Sequence, residues 1–490
     1  MRRAVLLLLA VCACAAGAQP PPPQDLIPTI TLDEVIRLAL QKNKVLKVSS
    51  YLPGIARANL LVARGAFDPN LQFSRSYMSS QFNTTGLIPV EDLYKQDNYE
   101  AGITGLLPVG TQYNIYASTQ EIRDPADGIV KNYTTFGGFT VTQPLLNGFG
   151  LAPNLEQVRI AKAQRSINDL DYKLSAMNTV TNAILAYINL QFAHDELDAA
   201  ESQRALAVSQ VKDDEKKFKT GYIAQSDVIE ERAYAAEFDE SILIAARAVR
   251  DAQNALREMI GEETFFEDEP LFVLAPIQLP EITVDRKADL ARALAARPDY
   301  QIQRFMIVQA RAAEDAARNR LLPQVDFTGG YGYNGSATNF SPSRQMVEDH
   351  MNPSVSAGLT VTIPLTFAVG RGNFRAAKLT REQADESLRS LEADIAVAVA
   401  SADGQIEVTR KRVEADEAAV SLAKQALDAE QKKFKAGTGS TISIIQEETI
   451  LAQAQNSVSS ALAAERQAVA NYDLTLGTTL ERYHVTLNYD

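Results

Sequence analysis

Apolar positions follow two different rhythms along this chain, and the rhythms alternate twice. In one, Ala163, Ile167, Leu170, Leu174, Met177, Thr181, Ile184 and Ile188 step by fours and threes, as do Ala384, Leu388, Leu391, Ile395, Ala398 and Ala402. That period of 3.5 predicts a long helix with a neighbour along its whole length. The stretches that carry it run from Asn154 to about Phe218 and from about Asn373 to Phe434, without proline and with only Gly404 as glycine. At about 1.5 Å per residue each is a rod of ~90–100 Å. The rods end in nearly the same words, Lys216-Lys217-Phe218-Lys219-Thr220-Gly221 and Lys432-Lys433-Phe434-Lys435-Ala436-Gly437. Shorter helices return from Ser226 to Ile260 and from Ser443 to Leu476, with Ser226 as the expected cap of the first.

The second rhythm has a period of two. From Val355 to Ile363 every odd position is apolar and every even one small or polar, and Val325, Phe327, Tyr331 and Tyr333 repeat the pattern around Gly329. Four such pieces precede the first rod (Leu71 to Ser80, Asn98 to Leu107, Thr111 to Thr119, Tyr133 to Leu145) and two precede the second. A greasy face opposite a polar one suits the wall of a membrane barrel, and a half-buried soluble strand alternates in the same way. Tyr77, Tyr99, Tyr113, Tyr116, Tyr133, Phe136 and Phe139 supply the aromatics of an interfacial girdle, although the chain has no tryptophan. Arg75, on an otherwise apolar strand face, has no explanation at this level.

The two halves align. A shift of 254 pairs Pro69 with Pro323, Phe73 with Phe327 and Tyr77 with Tyr331, whereas at Pro144 and Pro364 the shift is 220 and at the rod tips 216. The first half therefore carries additional chain between its helices, an inserted hairpin around Pro108-Val109-Gly110 spanning 98–119. Shorter helices precede the strands: Thr31 and Glu34 form an expected capping box, with helix continuing to about Arg64, and the counterparts are Asp289 to Ala296 and Asp299 to Arg320. The organisation expected is a signal segment at 1–18, a first repeat at 19–266 with its strand region at 67–146, and a second repeat at 267–490 with its strand region at 323–367. The acidic, proline-bearing stretch Phe266 to Pro280 reads as the linker.

Composition narrows the function. Arg2 and Arg3, an apolar run and Ala16-Gly17-Ala18 form a signal peptide cut after Ala18. Both cysteines, Cys12 and Cys14, precede that cut; lipidation of Cys14 is the alternative. No later run is long and apolar enough for a membrane helix. A net charge of −13 without a basic stripe excludes a nucleic-acid binder. Of the three histidines, His194-Asp195-Glu196 lacks the spacing of a zinc protease helix, and Gly148-Phe149-Gly150 lacks the context of a phosphate loop. Neither enzyme nor cofactor is expected. Asp213-Asp214-Glu215 before Lys216-Lys217 reads as a solvated helix end. At the tips, Gly221 supplies a left-handed turn between helices; the functional reading makes the same turn a docking surface or closing iris, with Asp227 and Glu230 one helical turn apart.

Val141-Thr142-Gln143-Pro144-Leu145-Leu146-Asn147-Gly148-Phe149-Gly150, Ala296-Arg297-Pro298-Asp299, Ala317-Arg318-Asn319-Arg320-Leu321-Leu322-Pro323 and the two Phe-x-x-Gly tips, in this order, resemble TolC-type outer membrane efflux proteins over nearly all the chain. The resemblance implies an α+β fold: a homotrimer whose transmembrane β-barrel, four strands per subunit, continues into a long periplasmic coiled-coil α-helical barrel. It implies a passive conduit in the outer membrane of a Gram-negative cell, working with a periplasmic adaptor (membrane fusion) protein and an inner-membrane transporter in tripartite efflux or type I secretion. Adaptor docking maps to Gly221, Tyr222, Gly437 and Thr438. The periplasmic gate maps to Phe218, Phe434 and Asp227, with Glu230 beside them. Where relatives carry an arginine and two aspartates on the second tip, this chain has Gly439, Ser443 and Gln446, so a charged latch of that kind is not expected. The competing reading is a coiled-coil envelope scaffold without a pore, its strands forming a soluble cap.

Overall fold

The computed structural model describes residues 29–84, 90–124, 129–261, 273–275 and 282–487. The signal segment, Cys12, Cys14 and most of the expected linker lie outside the described residues. The chain opens with a short strand β1 (Thr29–Ile30) and helices α1 (Leu32–Lys42), α2 (Lys44–Ser49) and α3 (Leu52–Gly65). Four strands follow, β2 (Asn70–Thr84), β3 (Val90–Leu106), β4 (Gln112–Asp124) and β5 (Ile129–Pro144). After a turn of helix α4 (Leu151–Asn154) come the first rod α5 (Glu156–Lys219) and its return α6 (Gln225–Ile260). The second half runs β6 (Val273–Leu274), α7 (Arg286–Ala296), α8 (Pro298–Asn319), β7 (Gln324–Ala337), α9 (Phe340–Glu348), β8 (Pro353–Thr362), the rod α10 (Ala368–Lys435), its return α11 (Thr441–Leu476) and α12 (Thr479–Arg482).

The rods are 64 and 68 residues long and both returning helices are 36. A rod of ~95–100 Å exceeds any single neighbour, so each is covered by different helices along its length. Near the strands the helices pack in the order α3, α5, α8, α10; towards the tips the order is α6, α5, α11, α10. The chain is thus a curtain four helices wide, with two continuous staves and two that change partway. In α5 the predicted seam is buried at Ala163, Ile167, Met177, Thr181, Ile184 and Ile188. In α10 the buried line runs through Ile395, Val399, Asp403 and Ile406, one residue over from the predicted Ala398 and Ala402, which are half-buried. Those alanines are too small to fill the groove, so the branched side chains beside them take it.

Two cores brace the curtain at mid-height, one around Tyr187 in the first half and one around Tyr472, Ile395, Val399 and Ile406 in the second. Fully buried Tyr187 donates its hydroxyl towards Ile30 O (3.1 Å) and Ala275 O (2.7 Å). This fastens the parallel pair β1–β6, which joins the two halves, onto α5. Thr31 caps α1 by accepting from Glu34 N (3.3 Å), while the Glu34 carboxylate turns to Arg37 rather than completing the box. The word Ala296-Arg297-Pro298-Asp299 is a corner: Pro298 starts α8, and Arg297 grips Asp299 through two bonds (3.0 and 2.6 Å) while donating to Thr475 O (2.9 Å).

All six long strands form one antiparallel sheet, in the order β2-β3-β4-β5-β7-β8. The inserted pair is therefore part of this sheet. β3 pairs with β2 from Asn70↔Thr104 to Thr84↔Val90, and β4 continues the ladder to β5. This replaces the four-strand contribution that the resemblance implied with six. Sheet and helices are tied at the loop after β5. Asn319 accepts from Gly148 N (2.8 Å), Asn154 donates to Gly148 O and Gly150 O (2.7 Å each), and Arg320 pairs with Glu156 (2.6 Å). The β3–β4 turn reaches the same loop, where Gly150 N donates to Val109 O (3.0 Å).

Gly110 sits there at φ +94°, and a Cβ on it would fall against Gly148 O and 2.9 Å from the Asn154 amide. Replacing Gly110 with Val adds left-handed backbone strain of ~1–2 kcal/mol to that clash. The expected outcome is a heat-modifiable band on gels that converts at a clearly lower temperature than the parent's, while Gly372→Ala, in open space within α10, leaves it in place.

Candidate functional site: hairpin tips and an amphipathic sheet

Both tips fold by the same backbone logic. The last helical turn closes with Tyr222 N donating to Lys217 O (2.9 Å) and Thr438 N to Lys433 O (3.0 Å), the six-to-one bond of a Schellman cap. Gly221 and Gly437 hold φ of +77° and +79°, and nothing approaches the position of a Cβ at either. Their glycines are therefore demanded by conformation and not by packing, and both turns stand exposed, with Tyr222 76% accessible. Gly439 differs. A Cβ there would lie 2.8 Å from Phe434 N, so this position is closed to any side chain without a shift of the turn.

The predicted gate residues divide between two settings. Phe218 is exposed at 42%, whereas Phe434 is half-buried beneath the Lys217 ammonium, 4.8 Å from its ring centre, in a contact that joins the two hairpins. Asp227 accepts from Ala224 N (3.1 Å) and from the Ser226 hydroxyl (3.3 Å), so the aspartate rather than the predicted Ser226 secures the start of α6. A carboxylate suits that place because it meets unpaired amides at the positive end of the helix. Ser443 is similarly engaged with Ser440, which caps α11 (Ser443 N to Ser440 Oγ, 3.2 Å). Glu230 and Gln446 are exposed.

About two turns behind the first tip lies a group that the sequence did not announce. Asp214 and Glu231 are completely buried and converge with half-buried Glu448, one acid each from α5, α6 and α11. Lys217 pairs with Asp214 at 2.7 Å, and Gln210 donates to the same oxygen at 3.3 Å, but among the described residues neither Glu231 oxygen finds a hydrogen-bond donor. Asp214 had read as part of a solvated end. Its neighbours Asp213 and Glu215 do face water, paired with Lys216 (2.7 Å) and Arg232 (2.6 Å), but the helical repeat turns Asp214 inward. Burial, then the Glu448 and Asp214 charges, push the Glu231 carboxyl up to about 7. Among the described residues no group of three or more His, Cys, Asp or Glu is arranged to hold a metal ion.

The sheet resolves the period-two pattern into faces. One row crosses all six strands as Leu71, Ile103, Ile115, Phe139, Tyr331 and Val355, every one exposed. The adjacent row on the opposite face reads Asn70, Thr104, Asn114, Thr140, Gly330 and Ser356. Along β7 the apolar face extends from Val325 to Tyr333, which at ~3.4 Å per residue and a tilt of 35–45° gives a band ~20 Å tall. Beyond it, on the same face, come tyrosines and charges: Arg75 held by Asp97 (2.8 Å) and lying over Tyr99, then Glu121 with Arg123 (2.7 Å) and Lys131 (3.3 Å). Arg75 thus marks where the greasy band stops. Among the described residues no helix is long and apolar enough to cross a membrane.

The Glu231 carboxyl makes a pH dependence with a definite sign. Its folded value of about 7 lies above the ordinary 4.5, so the folded chain holds the extra proton. The stability it contributes is present at low pH and is lost as pH rises through about 7. Glu231→Gln should match the parent in urea midpoint at pH 5 and exceed it at pH 8 by about 2 kcal/mol; equal midpoints at both pH values would remove Glu231 as a titrating group.

Comparison with known proteins gives a consistent answer. The family model described as "Outer membrane efflux protein" matches residues 290–478. The outer membrane protein TolC of Escherichia coli (strain K12) is 23% identical over 390 residues, covering 76% of this chain and 75% of TolC. TolC of Vibrio cholerae is 22% identical over 331 residues, 65% of this chain and 72% of that protein. Among solved structures, the outer-membrane channel OprN superposes with a TM-score of 0.69 at 17% identity, covering 91% of this chain and 89% of its own. The open state of the Neisseria gonorrhoeae MtrE outer membrane channel gives 0.64 at 16% identity, covering 91% and 88%. Residues 290–478 thus match the outer membrane efflux protein family, and over most of its length the chain is similar in sequence to TolC and shares the fold of outer-membrane channels.

Proposed function

We propose that this chain is the outer-membrane conduit of a tripartite efflux or type I secretion system, built as a homotrimer and gated at its periplasmic hairpin tips. The observation that carries this reading is the sheet: an exposed apolar band of bilayer height, opposite a polar face, with both edge strands open. A soluble scaffold has no use for such a face, since a contiguous apolar patch of this size aggregates in water. Placed in the outer membrane, the apolar rows meet lipid, the Arg75–Lys131 belt meets the headgroup layer, and the polar rows line a wet lumen. The four-helix curtain then descends into the periplasm. Its flanks expose Ile55, Leu61 and Val62 on α3, Leu243 and Ile244 on α6, and Val397 and Val408 on α10, apolar side chains that neighbouring copies cover.

Transport through such a pipe needs positioning and no chemistry. The two repeats, 19–266 and 267–490, each supply one hairpin, whose exposed turns at Gly221, Tyr222, Gly437 and Thr438 meet the periplasmic adaptor. The adaptor connects the pipe to an inner-membrane transporter. Phe218, Asp227, Glu230, Phe434, Ser443 and Gln446, within about two helical turns of the tip glycines, form the gate. The Lys217–Phe434 contact holds the two hairpins together, while the buried acids behind it repel one another across them, so opening breaks one contact and relieves that repulsion.

Gly221→Leu and Gly437→Leu each add left-handed strain of ~1–2 kcal/mol and no internal clash. Export, read as drug susceptibility or secretion in a strain lacking the native gene, should fall severalfold while heat-modifiable oligomers persist in the outer membrane fraction. Normal export from both variants would exclude the tips as the docking surface. Recovery of the chain in the soluble periplasmic fraction, silent in planar bilayers, would support the scaffold.

A further inference from the structure

The geometry points to a barrel of eighteen strands, six from each of three copies, with the inserted β3–β4 pair forming part of the wall and widening its mouth; we propose this for the assembled protein. The inference rests on the trimeric conduit reading above and adds the strand count, which governs what passes.

Four observations carry it. First, β3 and β4 are paired on both sides along most of their lengths, β3 with β2 over Val90–Thr104 and with β4 over Lys95–Leu106, so removing them would break three ladders that the sheet contains. Second, they share its faces: Ile103 and Ile115 stand in the exposed apolar row, and Thr104 and Asn114 in the polar one. Third, their turn is docked at the junction with the helices, through Gly150 N to Val109 O and the close approach of Gly110 to Gly148. A projecting ornament would need none of these.

The fourth is a match of widths. Next to the sheet the chain is four helices across, α3, α5, α8 and α10. At interaxial distances of 8–10 Å these span ~32–40 Å of circumference. Strands ~4.8 Å apart and tilted by ~40° each occupy ~6 Å of circumference, so six span ~37 Å and four only ~25 Å. Six strands continue the helical curtain without a step.

Closure requires further copies of this chain. A sheet of six is below the smallest known membrane barrel of about eight strands, and an open edge cannot remain in hydrocarbon. The free edges are β2 and β8. In an antiparallel sheet of even count the first and last strands run in opposite directions, so β8 of one copy meets β2 of the next in the sense that continues the pattern. Three copies then close eighteen strands. Barrel diameter grows about linearly with strand number, so the mouth is about half again as wide as one of twelve.

Cysteine pairs in the full chain, with Cys12 and Cys14 changed to Ala, test the wall directly. Leu71→Cys with Ile103→Cys and Ile115→Cys with Phe139→Cys should each form an internal disulfide in outer membranes. Leu71→Cys with Phe139→Cys should not, because two strands separate those positions; a disulfide there, without the other two, would mean that β2 lies against β5 and the insert is outside the wall. The native mass of detergent-solubilised protein should equal three chains, and two chains would overturn eighteen strands in favour of twelve. Deleting 90–124 should lower the size of neutral polymer that enters the external mouth in planar bilayers to about two-thirds of the parent's in radius. An unchanged cutoff would overturn the widening, whereas intact trimers that carry no current, with or without the insert, would count against the conduit itself. Should the deleted chain fail to assemble, the disulfide pattern and the mass still decide.

Discussion

Among the described residues the outward backbone amides and carbonyls of β2 and β8 have no sheet partner, and in hydrocarbon each unmet group costs several kcal/mol. That constraint organises the molecule. An amphipathic sheet with a band of exposed apolar side chains belongs in lipid, and lipid forbids its open edges, so closure with other copies is a condition of insertion. The helices inherit the same arrangement, because the curtain leaves the sheet at matching width and its own flanks are apolar.

The words that carry the resemblance are explained by the joints they occupy. Asn147 to Gly150 and Asn319 to Pro323 form the seam between sheet and helices, where Asn319 and Asn154 satisfy loop backbone that turns too sharply for a ladder. The corner at Arg297 fixes where α7 stops and α8 begins, and ties it to the end of α11 through Thr475. Such residues carry no transport chemistry. They hold the angle between parts that are each regular.

The tips have the opposite character. Their glycines are free of contacts, their turns face water, and behind them an under-satisfied set of acids takes the place of a greasy core. Burying Glu231 without a hydrogen bond weakens this end of the curtain relative to the Tyr187 and Tyr472 cores at mid-height. Local openings draw on the least stable part of a fold, and here that part is the end proposed to dock the adaptor.

The sequence by itself determined the elements: both rods, both returning helices, the six strands and the tip turns, since each is written in a local period or a local dihedral demand. It also disclosed the two-faced strands, because alternation at Val355–Ile363 needs no knowledge of neighbours. Tertiary structure alone decided how the pieces share space. Arg75 became intelligible only once Asp97, twenty-two residues away, lay opposite, and Asp214 left the solvated surface only because α6 and α11 cover it. The buried line of α10 moved to Val399 and Asp403 because the groove it fills is shaped by other helices. Above all, whether the inserted hairpin projects or belongs to the wall depends on which strand hydrogen-bonds to which, a long-range pairing that no local pattern encodes.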